Sequence, residues 1–206
     1  MEECLYCYQT HMGVTTSKGE GCTMNMSVRK MAVAGLLGAV SAALGLVPGL
    51  GFIPFPTGQA VTIMQIPVVL AAVAEGPAVG LFVGLIFGLT SFLRATNPAF
   101  ADPLVSILPR LFIGVFAAYA FAALRRRNLT LALAAAGVVG TLTNTGLVLG
   151  MILLRGYWPP EVVWTVAVTH APLELLVGTF AVVTVGLALH RAGYIRVAYR
   201  PSGQNS

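Results

Sequence analysis

Six apolar runs set the plan of this chain: about Met31 to Gly49, Val61 to Ala74, Pro77 to Leu93, Leu104 to Leu124, Leu129 to Leu154 and Val162 to Leu189. Several reach the roughly 20 residues that a helix needs to cross a bilayer core. The second run is short, and the break after it, "AEGPA", would also let the second and third runs read as one buried segment. Together they are longer than one crossing requires, and a Gly-Pro pair interrupts them, so the pattern predicts a helical hairpin. The expected fold is all-α, a six-transmembrane-helix bundle.

Composition agrees. Of 206 residues, 57% are hydrophobic and 9% charged, with a mean hydropathy of +0.84. A soluble domain of this length needs more polar cover. Lys and Arg then give an orientation, because cytoplasmic loops carry the excess of them. With the N-terminus inside, Lys18, Arg29, Lys30, Arg125, Arg126, Arg127, Arg191, Arg196 and Arg200 face the cytoplasm, while Arg94 and Arg155 face outward, nine against two. Both termini are therefore expected in the cytoplasm and the bundle in the plasma membrane. The net charge of +5 reads as topology and calls for no nucleic acid.

Three parts follow. Residues 1–27 are expected to be a disordered cytoplasmic extension, residues 28–192 the membrane domain, and residues 193–206 a cytoplasmic tail. The extension holds all three cysteines, Cys4, Cys7 and Cys22. Cys4 and Cys7 form a C-x-x-C with His11 beyond, but the spacing to Cys22 fits no standard zinc finger, so no metal is expected. The extension lacks the charged start, apolar core and small-residue cleavage site of a signal peptide. A start at Met24 or Met26 would remove most of it.

Polar residues inside the runs are the informative ones. Helices in lipid pack through small residues, and Gly80, Gly84 and Gly88 make such a row in the third run. In the fourth run Arg110 heads the row Gly114, Ala118, Ala122. In the fifth Asn144 continues Ala136 and Gly140, and in the sixth His170, Glu174 and Gly178 align. Each polar side chain shares a face with packing residues, so all are expected to point into the bundle, as the cost of ionisable groups in hydrocarbon requires. Counting about 1.5 Å per residue puts Arg110 roughly 9 Å below the outer end of its helix, Asn144 roughly 15 Å, and His170 and Glu174 roughly 12 and 18 Å. All four fall toward the outer half. A pocket roofed by the loops Pro48 to Ala60, Ala95 to Pro103 and Arg155 to Glu161 is the simplest geometry that serves them. Pro109 and Pro172 are expected to kink their helices and free backbone carbonyls beside these groups.

Structural roles compete with these. Arg110 and Glu174 could form a buried ion pair that only fixes two helices. Asn144, flanked by Thr143 and Thr145, could be interhelical glue. His170 with Glu174 could relay protons or hold a metal, although two ligands are too few for a metal site.

The stretches "IMQIPVVLAAVAEGPAVGLFVGLIFGLTSFLRA", "LPRLFIGVFAAYAF" and "GTLTNTGLVLG" resemble the membrane S components of energy-coupling factor (ECF) vitamin transporters. The likeness is greatest to the branch of pantothenate, folate and hydroxymethylpyrimidine binders, and it covers about Met31 to Leu189. The resemblance implies an integral membrane subunit that captures a vitamin with its outward loops and last three helices. It further implies docking on a transmembrane T component driven by two ABC ATPases. Small residues four apart on the first helix would meet that partner, either Ala34, Gly38 and Ala42 or Gly35, Ala39 and Ala43. The chain itself carries no G-x-x-x-x-G-K-[ST] for ATP. No cofactor is expected.

The segment "LRATNPAFADP" then reads as a lid, with Arg94 and Asn97 as ligand-facing donors and Asp102 accepting from the ligand or holding Arg94. Arg94 and Arg110 suit an anionic vitamin, because guanidinium pairs a carboxylate bidentately. Asn144 and His170 would serve hydroxyls or an amide, with Glu174 beside them. Pantothenate, with a carboxylate, two hydroxyls and an amide, fits this inventory. Folate would ask for stacking surfaces, and Phe55, Phe92, Phe100, Tyr157 and Trp158 lie near the outer face. Hydroxymethylpyrimidine and cobalamin are further family substrates.

Two other classes fit less well. A stand-alone proton-coupled secondary transporter could use His170 and Glu174, but such carriers show internal repeats and none is evident. An intramembrane enzyme should show a nucleophile or metal constellation. Neither H-E-x-x-H nor G-x-S-x-G occurs, so the chain is not expected to be an enzyme.

Overall fold

The computed structural model describes residues 28–47, 51–54, 60–95 and 98–195. Along them run α1 (Val28–Leu46), β1 (Phe52–Pro54), β2 (Ala60–Thr62), α2 (Gln65–Glu75), α3 (Pro77–Arg94), a 3-10 turn (Pro98–Ala101), α4 (Pro103–Ser106), α5 (Leu108–Leu124), α6 (Leu129–Leu154) and α7 (Pro160–Arg191). The calls on the cysteines, His11, Lys18, Phe55, Asn97, Arg196 and Arg200 lie outside the described residues.

Among the described residues, five helical stretches are long and apolar enough to cross a membrane: α1, α3, α4 continuing into α5, α6 and α7. Their starts follow local chemistry. Proline occupies the first turn of α3, α4, α5 and α7, where its missing N–H costs nothing. The Asn128 side chain caps α6, accepting from Thr130 N at 2.9 Å. Gly76, at φ 99°, makes the tight turn between α2 and α3, a conformation that a side chain would strain.

Two elements differ from the sequence expectation. The second run does not give a full span, because α2 has only 11 residues. At the helical rise its length is roughly 16 Å, about half of a bilayer core. Proline fits a helix best in its first turn, and Pro67 lies there, with the helix starting at Gln65. The residues before it pair instead as a hairpin, with Phe52 opposite Thr62 and Pro54 opposite Ala60. Among the described residues the protein is therefore helical with one small two-stranded ladder. Likewise the fourth run divides at Ile107, since Pro109 has no N–H for the Val105 carbonyl four residues earlier.

The short α2 is the axis of the molecule. Apolar on nearly every side, as a fully enclosed helix should be, it buries Val68, Val69, Leu70, Ala71, Ala72 and Val73 and touches α1, α3, α5, α6 and α7. Around it α3 and α5 approach to backbone contact through the predicted glycine row. A Cβ built at Gly80 would stand 3.0 Å from Gly114 Cα, and one at Gly88 would stand 2.9 Å from Ile107 Cα. Among the described residues, large apolar side chains such as Leu36, Phe112, Phe116, Trp164, Leu176 and Phe180 cover the outside, as a lipid-facing surface should.

The two ends of the bundle are tied differently. At one end Arg29 Nε lies 2.8 Å from Glu75 Oε1 and Arg29 Nη2 donates to the Tyr194 carbonyl at 2.6 Å, joining α1, α2 and the end of α7. At the other, Arg94 donates to the Gly45 carbonyl and Asp102 receives Arg155, joining the hairpin side to the α6–α7 turn.

Candidate functional site

Near the Asp102 end, α5, α6 and α7 turn buried polar side chains toward one another. Arg110, Asn144, His170 and Glu174 are each no more than 7% exposed, and the small-residue rows they were expected to share are buried with them at Gly114, Ala118, Ala136, Gly140 and Gly178.

Arg110 enters this cleft because of its neighbour. Pro109 leaves the Val105 carbonyl without its helical donor, and the Arg110 Nη1 group donates to that oxygen instead. The guanidinium lies between two rings, 5.5 Å from the centroids of Phe87 on α3 and Phe100 on the lid segment. Both contacts are within the range of a cation–π interaction. The Arg110 Nε is buried without a hydrogen-bond partner among the described residues. Arg110 sits in the first turn of α5, because the fourth run breaks before it.

Across the cleft Glu174 is held by α6. Thr145 Oγ1 donates to Glu174 Oε2 at 2.9 Å, and Asn144 Nδ2 reaches Oε1 at a long 3.5 Å. Asn144 Oδ1, like Arg110 Nε, has no partner among the described residues. Among the described residues Arg110 and Glu174 make their hydrogen bonds to other groups, and no ion pair joins the two. His170 lies one turn toward the Asp102 end of α7 from Glu174. Pro172, between them, does not interrupt α7.

The lid residues take other positions. Arg94 Nη1 donates to the Gly45 carbonyl at 2.7 Å, tying α3 to the end of α1. Asp102 does not hold Arg94 but receives Arg155, with Nε and Nη2 both at 2.7 Å, and Tyr157 OH at 3.2 Å. Asp102 also caps α4 through Leu104 N. The Arg155 hydrogen bond, ahead of the opposing effect of burial, holds the Asp102 carboxyl below the usual carboxylate range. Arg155 is too far along the chain for spacing to have paired it with Asp102. Trp158 packs beside an apolar cluster of Ala99, Val105, Val148, Ile152 and Val163, which seats the lid on α6 and α7. Ser106 Oγ completes the fastening by donating to the Phe100 carbonyl.

The sequence singles out neither Gln65 nor Thr141, and marks Thr145 only as a neighbour of Asn144. Gln65, 1% exposed, donates to Thr141 Oγ1, and Thr145 holds Glu174. The available signal was an amide within an otherwise apolar run and a threonine every second residue through "TLTNT".

The chain matches the family model described as the ECF transporter, substrate-specific component, over residues 29–195. It is also 32% identical over 149 residues to the pantothenate transporter PanT of Leuconostoc mesenteroides subsp. mesenteroides, covering 65% of this chain and 72% of that one. A multi-pass membrane bundle agrees with that match, and the protein belongs to the substrate-specific components of ECF transporters.

Proposed function

We propose that this chain captures pantothenate, or a vitamin of the same anionic, hydroxylated kind, in the cleft between α5, α6 and α7. The observation that carries the reading is Arg110. It is a buried guanidinium with an unanswered Nε, not cancelled by a touching carboxylate, beside an unanswered amide oxygen on Asn144. Groups of that kind are unfavourable in hydrocarbon unless something binds them. A ligand carboxylate answers Arg110, and ligand hydroxyls and amide answer Asn144, Glu174 and His170. The relative named for pantothenate transport supports the same choice. Arg94, Asp102 and Trp158 then act on the ligand indirectly, by holding the lid.

The excess of Lys and Arg at the Arg29 end favours a cytoplasmic position for that end and an outward-facing cleft, with α2 and its hairpin completing a sixth passage. Delivery then needs a transmembrane T component and two ABC ATPases. On α1, Ala34 and Gly38 are buried within the bundle, Ala42 is half-buried, and Gly35, Ala39 and Ala43 are exposed. A Cβ at Gly38 would collide with Ile86, whereas one at Gly35 meets nothing within 4 Å. The docking row is therefore Gly35, Ala39 and Ala43.

Mass spectrometry of the small molecule that co-purifies, followed by calorimetric titration with pantothenate, tests the capture reading. Arg110→Gln should weaken binding by about 1.5 kcal/mol or more, the usual worth of a charge-assisted hydrogen bond. Unchanged affinity in that variant removes the anion model. Ala39→Leu with Ala43→Leu should leave binding intact and abolish uptake by cells that hold the partner subunits, and full uptake would move the docking face elsewhere.

A further inference from the structure

The cleft continues one layer deeper than its charged residues. Thr141 lies three residues before Asn144 on α6, and Gly178 four residues after Glu174 on α7, both away from the Asp102 end. Residues at those spacings share a helix face one turn apart, about 5.4 Å. Gln65, at the start of α2, meets both helices there. Its Nε2 donates to Thr141 Oγ1 at 3.0 Å, and Gly178 supplies the room, since a Cβ on it would stand 3.0 Å from Thr141 Oγ1 and 3.3 Å from Gln65 Nε2. The amide is thus oriented from one side and approached by bare backbone from another. Its Oε1 is buried with no partner among the described residues.

A buried amide that spends its N–H on a threonine and leaves its oxygen free is poorly explained as packing. Gln65 and Glu75 are the two polar side chains of α2, and Glu75 is answered by Arg29 at the far end. An apolar residue at 65 would fill the same volume without stranding an acceptor. Gln65 meets α6 at Thr141, one turn from Asn144 on the same helix, and the Asn144 side-chain oxygen is likewise unanswered among the described residues.

We propose that Gln65 is a specificity-determining residue, which Thr141 holds so that Oε1 accepts from a hydroxyl or amide N–H at the deep end of the bound molecule. The assignment rests on the vitamin-capture reading above and deepens it. The ligand class is a molecule with an anionic group at one end, for Arg110, and neutral hydrogen-bond donors at the other, for Gln65 and Asn144. Molecules that offer only acceptors at the deep end are rejected, because they meet an amide oxygen they cannot satisfy.

The test is calorimetric titration of the full-length protein in detergent. The ligands are pantothenate and analogues in which each hydroxyl is replaced by hydrogen, or the amide N–H by N-methyl. Gln65→Met should weaken pantothenate binding roughly tenfold, yet cost nothing for the analogue that lacks the donor Gln65 reads. Thr141→Val, which releases the amide without removing it, should show the same pattern at roughly threefold. It carries the test alone if Gln65→Met fails to fold. A loss that is uniform across the analogues, or no loss, overturns the Gln65 assignment while leaving capture at Arg110 standing. Failure of the wild-type protein to bind pantothenate overturns the reading of function and this assignment with it.

Discussion

Between α3 and α5 the helices meet over a row of glycines, whereas α5, α6 and α7, packed as closely, place polar side chains between them. The first contact is a glycine seam of Gly80, Gly84, Gly88 and Gly114. The second is a cleft of Arg110, Asn144, Glu174 and Gln65 in which three polar atoms are unanswered among the described residues. Lipid supplies no hydrophobic force to press helices together, so close packing of small residues has to hold them. The seam is where this bundle gains stability, and the cleft is where it gives some up. Arg110 belongs to both, with its carbonyl lying against Gly84 and its side chain entering the cleft.

The largest expected effect comes from opening the seam. Gly84→Val would drive a branched side chain into the Arg110 carbonyl, a backbone atom that cannot rotate away. Overpacking costs about 1–3 kcal/mol where neighbours can yield, and the upper end or beyond applies here. The thermal midpoint in detergent should fall by many degrees, or the protein should no longer elute as one species. Gly35→Val, placed where a Cβ meets nothing within 4 Å, should leave the midpoint unchanged. Equal behaviour of the two variants would deny the seam its role.

Both regions were partly legible in the sequence. The glycine row and the rows behind Arg110, Asn144 and Glu174 follow from one rule, that small residues and costly polar residues both face inward, and the burial of all but Ala122, which is half-buried, agrees with it. What the rule omits is backbone chemistry. Pro67 lies in the first turn of the short α2 and Pro109 splits the fourth run, and each sits in a run whose hydropathy alone says helix. Arg94 and Arg155 illustrate the other loss. Both are outer arginines that could reach a lid aspartate, yet Arg94 binds a carbonyl of α1 and Arg155 takes the aspartate. Which arginine reaches Asp102 depends on how α6 ends, and no local spacing encodes that.

A smaller effect sharpens the cleft side of the comparison. Thr145→Val removes the 2.9 Å hydrogen bond to Glu174. The loss should destabilise the ligand-free protein by about 1.5 kcal/mol, the low end for a bond to a charged group. With Glu174→Gln already in place, the same substitution should cost less, because a neutral amide needs that donor less. A double-mutant cycle of unfolding free energies measures the coupling. Strict additivity would mean that Thr145 acts by packing alone.

The smallest effect belongs to the lid fastening, which lies outside the spans and in reach of water. The Arg155 guanidinium holds the Asp102 carboxyl below its ordinary value, and the Arg155 side chain is 48% exposed. A carboxylate whose folded pKa is depressed contributes its full stability above the unfolded value, near about 3.9, and loses it as pH falls through the lower folded value. Asp102→Asn should therefore lower the thermal midpoint slightly between about pH 5 and 7, with the gap to wild type closing below about pH 4. Salt should narrow the gap at neutral pH, since an exposed pair is screened. A gap that stays constant down to the acid end would deny the bridge to Arg155 this role.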